Sequence, residues 1–83
     1  MTPQEVYDWL RRDPFIPFRV NLSNGRHYDV RRPEMAMVGK RAMLVGELDP
    51  DFPLPVFESS TQVSLIHVNS IETIPQPAPA PAG

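Results

Sequence analysis

The chain has 83 residues, of which 41% are hydrophobic and 22% charged; it has no cysteine and a net charge of −2. This length allows one small domain, which buries only about 60% of the surface that the unfolded chain exposes. The lack of cysteine excludes disulfides and thiolate metal sites, so packing or self-association has to supply the stability.

The charges are unevenly distributed along the chain. Residues 1–41 carry eight basic and five acidic residues, a net charge of +3, whereas residues 42–83 carry five acidic residues and no basic one. This predicts either a basic face or an attraction between the two halves, although small domains often carry uneven charge that only interacts with solvent. No stretch approaches the roughly 18 apolar residues of a membrane span. We expect a cytoplasmic protein without membrane contact.

The first predicted element is a helix over residues 3–12. Thr2 is a capping residue, Pro3 suits the first helical position, and Glu5 stands where a capping box needs its acceptor. The residue before Pro14 avoids the helical conformation, so the helix ends there. Apolar side chains at helical spacing predict one buried stripe, formed by Val6, Trp9 and Leu10.

Residues 18–22 alternate strictly between apolar and polar side chains, which predicts a strand. The Asn-Gly pair that follows is typical of a hairpin. A two-residue turn would pair Leu22 with His27 and Val20 with Asp29, which places polar side chains in the core. That register is therefore rejected.

A three-residue turn that ends at Gly25 gives a register in which apolar residues pair with apolar residues. It pairs Val20 with Tyr28 and Phe18 with Val30, so that all four side chains point into the core. The sequence therefore predicts a bulged hairpin with a positive φ at Gly25.

The second strand is interrupted at Pro33, which cannot donate a hydrogen bond to a sheet. A bend or a single helical turn is expected over residues 33–36. Residues 37–38 and 42–45 then flank a second hairpin turn, where Gly39 is a candidate for a positive φ.

Residues 46–55 hold three prolines and three acidic residues without periodicity, which indicates a loop. Its carboxylates lack the spacing, the central glycine and the distal glutamate of an EF-hand. We expect no metal site and no cofactor.

Two further strands are predicted in the last third of the chain. The first covers residues 62–66, with a start as early as Val56 left open, and the second covers residues 71–74 after a tight link at 67–70. Residues 75–83 are a Pro/Ala-rich tail that we expect to be disordered. The domain is predicted to comprise residues 1–74.

A helix followed by five short strands resembles an SH3-like small barrel of the Sm type, and two segments carry the resemblance. VNLSNG at residues 20–25 is similar to the first Sm motif, and LIHVNSIETI at residues 65–74 is similar to the second. The resemblance implies a mainly β, five-stranded barrel and RNA binding. Bacterial Sm-like RNA chaperones carry Tyr-Lys-His before the last strand, but this chain has His67, Val68 and Asn69 there.

A second resemblance is carried by the sequence PFIPF at residues 14–18, followed by a strand and Asn-Gly-Arg and then by VRRPE at residues 30–34. It is similar to a group of short uncharacterised bacterial proteins built on Pro-Phe-x-Pro-Phe. This resemblance is the closer of the two and implies no known activity.

The candidate functional residues fall into two groups, and neither is catalytic. His27 and His67 lack a nucleophile or a metal motif at the required spacing, so we expect no enzyme activity. Basic side chains, with Tyr28 or Phe15 to stack on bases, are candidates for contacts with RNA. The RNA candidates are Arg19, Arg26, Arg31, Arg32, Lys40 and Arg41. The candidates for a protein interface are Met35, Met37 and Met43.

These observations predict a non-catalytic binding or assembly module. It would act through strand-edge protein contacts or self-association, with a protein partner or a second copy of the chain. RNA binding in an Sm-like manner is the alternative. Pairing of the outward arginines with nearby carboxylates would argue against it.

Overall fold

The computed structural model describes residues 1–54 and 56–74. These residues form one helix and six strands: α1 (Pro3–Leu10), β1 (Phe18–Leu22), β2 (His27–Val30), β3 (Ala36–Val38), β4 (Ala42–Leu48), β5 (Phe57–Ser64) and β6 (Val68–Thr73). The predicted Pro/Ala tail lies outside the described residues.

The strands form two antiparallel sheets. The first sheet has the order β2-β1-β6 and the second sheet has the order β3-β4-β5. The fold is mainly β with an N-terminal helix, as predicted. The described strands number six, where five were predicted for an open or closed barrel, and they form two sheets that do not close into a barrel. A 3₁₀ turn at Pro33–Met35 separates β2 from β3, because Pro33 has no N–H to offer to a sheet.

The helix begins with the predicted cap. The Thr2 hydroxyl oxygen accepts a hydrogen bond from the Glu5 N–H at 3.3 Å, and the hydroxyl donates to the Glu5 Oε1 at 3.1 Å. The helix ends at Leu10, two residues earlier than predicted, and the Arg11 N–H closes its last turn on the Tyr7 carbonyl at 3.0 Å. The cap satisfies one N–H that a helix start leaves unpaired.

The apolar stripe of α1 packs on the hydrophobic core, as predicted. Val6 is fully buried, while Trp9 and Leu10 are partly buried against the core. The Trp9 and Phe18 rings are tilted, with 5.5 Å between their centroids. Arg12 covers Trp9 with its guanidinium carbon 3.9 Å from the ring centroid. Trp9 is therefore a packing residue.

The first hairpin has the predicted register. Val20 pairs with Tyr28 and Phe18 pairs with Val30. Gly25 has a φ of 86°, in the left-handed region that favours glycine. The three-residue turn is confirmed, and it keeps the apolar residues of both strands on one face.

The last strand starts earlier than predicted. The predicted strand over 62–66 is present as β5, which starts at Phe57, close to the early start left open, and ends at Ser64. The link before the last strand is short, as predicted, but it is a 3₁₀ turn at Leu65–His67 instead of residues 67–70, and β6 begins at Val68. The reason is long-range pairing: β6 lies against β1 on the side opposite β2, with Val68 opposite Leu22.

The second hairpin is confirmed, but its details differ from the prediction. Gly39 does not take a positive φ; its N–H donates to the Ala42 carbonyl at 2.7 Å, which continues the register of Val38 with Met43, and the chain turns over two residues, Lys40 and Arg41. The strand β4 continues to Leu48, because β5 starts at Phe57 and pairs along it. The loop predicted over 46–55 therefore starts three residues later.

The core lies between the two sheets and the helix. Its buried members, all hydrophobic, are Val6, Phe18, Val20, Val30, Met43, Val45, Val63, Leu65, Val68 and Ile74. A fully buried aliphatic or aromatic side chain contributes roughly 1.5–3 kcal/mol. In the described ranges no polar or charged residue is buried. No helix in them has the length and apolar content to cross a membrane.

Replacing Gly25 tests the turn. A Cβ at this position would meet no atom within 4 Å, so the cost of Gly25→Ala comes from the left-handed backbone alone. We expect a loss of about 1–2 kcal/mol in the free energy of unfolding, measured by urea denaturation with Trp9 fluorescence. The control Gly25→Asn should lose less, because asparagine tolerates this conformation. Equal stability of all three proteins would contradict the assignment.

Candidate functional site

The outer face of the first sheet carries a hydrogen-bonded set of charges. The Arg19 Nε donates to the Asp29 Oδ1 at 2.8 Å, and the Arg19 Nη2 donates to the Asp29 Oδ2 at 3.3 Å. The Arg31 Nη2 reaches the same Asp29 Oδ2 at 3.5 Å. Residues opposite each other on neighbouring strands form this pair, because Arg19 and Asp29 are in register.

The hydrogen bond from Arg19 is the largest influence on the pKa of the Asp29 carboxyl. It holds the pKa of the Asp29 carboxyl below its ordinary value; partial burial opposes this shift, and the nearby charge of Arg19 adds to it. The same hydrogen bond raises the pKa of Arg19. Asp29 therefore stays ionised and neutralises much of the positive charge on this face.

Polar contacts continue across the first sheet to β6. The Asn21 amide donates to the Ser70 hydroxyl and to the Glu72 Oε1, both at 3.2 Å. Glu72 also lies close enough to Arg19 to contribute to its raised pKa. The face is therefore a mixed polar surface and not a basic stripe.

The six basic candidates divide into two sets of three. Arg19 and Arg31 bind Asp29, and Arg32 forms an ion pair with Glu34. The other three are exposed at hairpin turns and form no ion pair within residues 1–54 and 56–74; they are Arg26, Lys40 and Arg41. The structure therefore does not bring the six together as one patch.

The aromatic candidates for base stacking pack inward. Tyr28 and Phe15 are both partly buried against the core, and the Phe15 ring meets the Phe18 ring edge-on at 6.0 Å. Tyr28 also lines an open cleft together with Arg26. Partial burial of both rings therefore limits, and does not remove, the aromatic surface that single-stranded RNA would use.

The three methionines have three different environments. Met43 is 1% exposed and belongs to the core, so its assignment to a surface contact is corrected. Met35 is half-buried against the core, and Met37 is 67% exposed. Met43 and Val45 alternate with outward residues on β4, and this period of two decides which residues face the core. Of these three methionines, only Met37 offers a large apolar surface to a partner.

The outer face of the second sheet continues the apolar surface of Met37. Leu44 pairs with Met37 on one side and with Gln62 on the other, and all three line one shallow depression. Beside them, the Phe57 ring lies on Gly46, where an added Cβ would come within 2.8 Å of the ring atoms. We call the surface of Met37, Leu44, Phe57 and Gln62 the outer face. Leu44 and Phe57 are not among the candidates predicted from the sequence, although the alternation along β4 indicates that Leu44 faces outward.

The strand β5 forms a long edge of the second sheet. It pairs with β4 on one side, and its first six residues are exposed. Along an antiparallel strand, successive residues direct their N–H and C=O groups alternately to one neighbour and to the other side. The Leu65 N–H donates to the Arg41 carbonyl at 2.9 Å, at the start of β4. Residues of β5 at odd positions, such as Thr61, therefore direct these groups to β4. Ser60, Gln62 and Ser64 then direct theirs to the free edge.

A cleft of about 460 Å³ lies between the first hairpin turn and β5. Its lining includes Arg26, Tyr28, Gln62 and His67. The other histidine, His27, lines a separate cleft along β2. The histidines therefore do not converge on one position. Among the described residues no group of three or more His, Asp or Glu side chains is placed to hold a metal ion.

Comparison of the chain with protein-family models, with curated proteins and with solved structures found no match. The functional proposal therefore depends on the surfaces described above.

The Arg19–Asp29 pair generates a pH-dependent prediction. The pKa of Asp29 is lowered from 3.8, so its contribution to stability is present above that value and is lost as the pH falls through the folded-state pKa. We expect Asp29→Asn to be less stable than the original chain at neutral pH, and the difference to shrink below about pH 4. Urea denaturation across this pH range measures it.

Arg31→Gln is the control for this experiment, because Arg31 contacts Asp29 only at 3.5 Å. It should reduce stability less than Asp29→Asn. A stability difference for Asp29→Asn that stays constant from neutral pH to pH 2 would contradict the proposed ion pair.

Proposed function

We propose that the protein is a non-catalytic assembly module of the cytoplasm, with an SH3-like, Sm-like strand arrangement, which acts by adding its β5 edge to a strand of a second copy. The free edge of β5 carries this proposal. Within residues 1–54 and 56–74, one side of this eight-residue strand has no partner strand, and that side exposes a row of N–H and C=O groups that another strand can use.

The strand order supports the SH3-like part of the proposal. If β2 and β3 are taken as one strand broken at Pro33–Met35, five strands remain, in the order β6-β1-β2/β3-β4-β5. A 3₁₀ turn at Leu65–His67 makes the short connection between the last two strands. Both features are those that the sequence resemblance implies.

The composition of β5 supports an edge that forms contacts. Native edge strands often carry a lysine, a proline or a bulge, which prevents pairing with a strand of another molecule. From Phe57 to Ser64, β5 contains one charged residue, Glu58, and no proline; its pairing with β4 shifts register at Glu58, before the free-edge residues begin, and is regular from Ser59 to Ser64. The residues of its free edge, Ser60, Gln62 and Ser64, are small or neutral, so another backbone can approach. Pairing there would also compensate for the thin core of a domain this small.

Removing one N–H from the free edge tests the proposal. Ser60→Pro deletes an N–H that points away from β4, at a site where an edge strand tolerates proline. We expect self-association to fall about tenfold or more, because one inter-strand hydrogen bond is lost and the proline ring obstructs the approach. Sedimentation velocity over a concentration series measures this change.

The matched control is Thr61→Pro, which deletes an N–H directed to β4. It should destabilise the fold itself, by urea denaturation, whereas Ser60→Pro should retain most of the stability. If the original chain is a monomer at every concentration, self-association through β5 is excluded. If Ser60→Pro associates as strongly as the original chain, the β5 edge is not the contact.

RNA binding is the alternative, and one observation favours it: Arg26, Lys40 and Arg41 are exposed and have no carboxylate partner among the described residues. Three phosphate contacts would give binding to single-stranded RNA that weakens steeply with salt. The pairing of Arg19 and Arg31 with Asp29 argues against a larger site.

Filter binding to single-stranded RNA at several salt concentrations tests the alternative. If it holds, replacing Arg26, Lys40 and Arg41 with glutamine should make the slope of log affinity against log salt shallower by about 2, at roughly 0.7 per phosphate contact. The control is Arg32→Gln, because Arg32 forms an ion pair with its own partner Glu34. Weak binding that does not respond to salt contradicts the alternative.

A further inference from the structure

The outer face is an apolar sheet surface without a covering layer in the described chain. Met37 is 67% exposed, Phe57 is 36% exposed and Leu44 is partly exposed between them. A sheet normally buries one face on the core and turns a polar face to water. The first sheet follows this rule, with its Arg19–Asp29 pair outside. The second sheet departs from it.

Charges of opposite sign lie at the two ends of the outer face. Lys40 and Arg41 form the basic end, at the turn before β4, and they line the same depression as Met37 and Leu44. The acidic end lies where β4 and β5 meet their connecting loop, and its carboxylates are Asp49, Asp51 and Glu58. The seven residues of β4 separate the two ends by roughly 20 Å.

We propose that the outer face binds the outer face of a second copy, in a two-fold dimer in which the β4 strands of the copies run in opposite directions. This inference goes beyond the proposed function, because it uses a face of the second sheet and not its β5 edge.

The charges select the orientation of the dimer. Two sheets packed face to face are related by a two-fold axis that lies in the plane between them. If that axis is perpendicular to the strands, each basic end lies over the acidic end of the other copy. If the axis is parallel to the strands, like charges meet, which is unfavourable. The first orientation forms two complementary charge contacts from one interface.

The size of the outer face predicts a dimer that exchanges with the monomer. Three strands span roughly 14 Å, and the length of β4 is roughly 20 Å, which is a small area beside the approximately 800 Å² per partner of a standard stable interface. Burial of Met37, Leu44 and Phe57 supplies the apolar contribution. The charged ends add attraction that salt weakens.

Charge reversal at each end tests the dimer. The two variants are Lys40→Glu/Arg41→Glu, which makes both ends acidic, and Asp51→Lys/Glu58→Lys, which leaves two lysines against Asp49 at the second end and so makes both ends basic. All four side chains are exposed, so both variants should fold. In sedimentation velocity at low salt we expect each variant alone to associate about tenfold or more weakly than the original chain. An equimolar mixture of the two should recover the dimer, because each end then meets its opposite.

Two further variants make the test specific. Arg11→Glu/Arg12→Glu changes the net charge as much as the first variant but lies after α1, outside the second sheet, so it should leave the association unchanged. Met37→Gln removes exposed apolar surface without a charge and should weaken the dimer at every salt concentration.

The outcomes distinguish the outer-face dimer from self-association through the β5 edge. If the charge variants and Met37→Gln associate normally while Ser60→Pro does not, the outer-face dimer is overturned and the edge contact stands. If the charge variants dissociate, their mixture recovers and Ser60→Pro has no effect, the outer face is the contact and the edge is not. A mixture that stays monomeric while the original chain dimerises overturns the antiparallel arrangement.

Discussion

The register between β1 and β2 is the constraint on which the rest of the structure depends. Side chains alternate along a strand, so a slip of one residue would move Phe18 and Val20 out of the core and Arg19 into it. The left-handed turn at Gly25 fixes the register. It also places Asp29 directly opposite Arg19. One local turn therefore determines both the buried face and the charge balance of the exposed face.

Local features of the fold were predictable from the sequence, and long-range pairing was not. The cap at Thr2, the turn at Gly25 and the 3₁₀ turn at Pro33 each follow from the chemistry of a few neighbouring residues. The start of β6 depends instead on pairing with β1, nearly fifty residues away, and no local signal in Val68-Asn69-Ser70 indicates it. The extension of β4 to Leu48 likewise depends on β5.

For the candidate surface residues too, the local sequence was informative and the long-range pairing could not be read from it. Residue type identified the basic and methionine candidates, but their environment depends on which face each residue occupies and on its cross-strand neighbours. Arg19 is neutralised because Asp29 is its partner in register, and Met43 is buried because it shares a face with Val45. Met37 stays exposed on the opposite face of the same sheet. Exposed apolar surface and unpaired strand edge therefore occur together on the second sheet, whereas the first sheet presents balanced charge.

The central position of β1 in the first sheet affects the order in which the chain can fold during synthesis. When only β1 and β2 have emerged from the ribosome, they can form a two-stranded hairpin, and such hairpins are at best marginally stable in water. The second neighbour of β1 is β6, whose last residue is Thr73. Until that strand emerges, one side of β1 has unpaired backbone groups that a neighbouring nascent chain can reach. Folding of the first sheet is therefore delayed until β6, which ends at Thr73, has been translated.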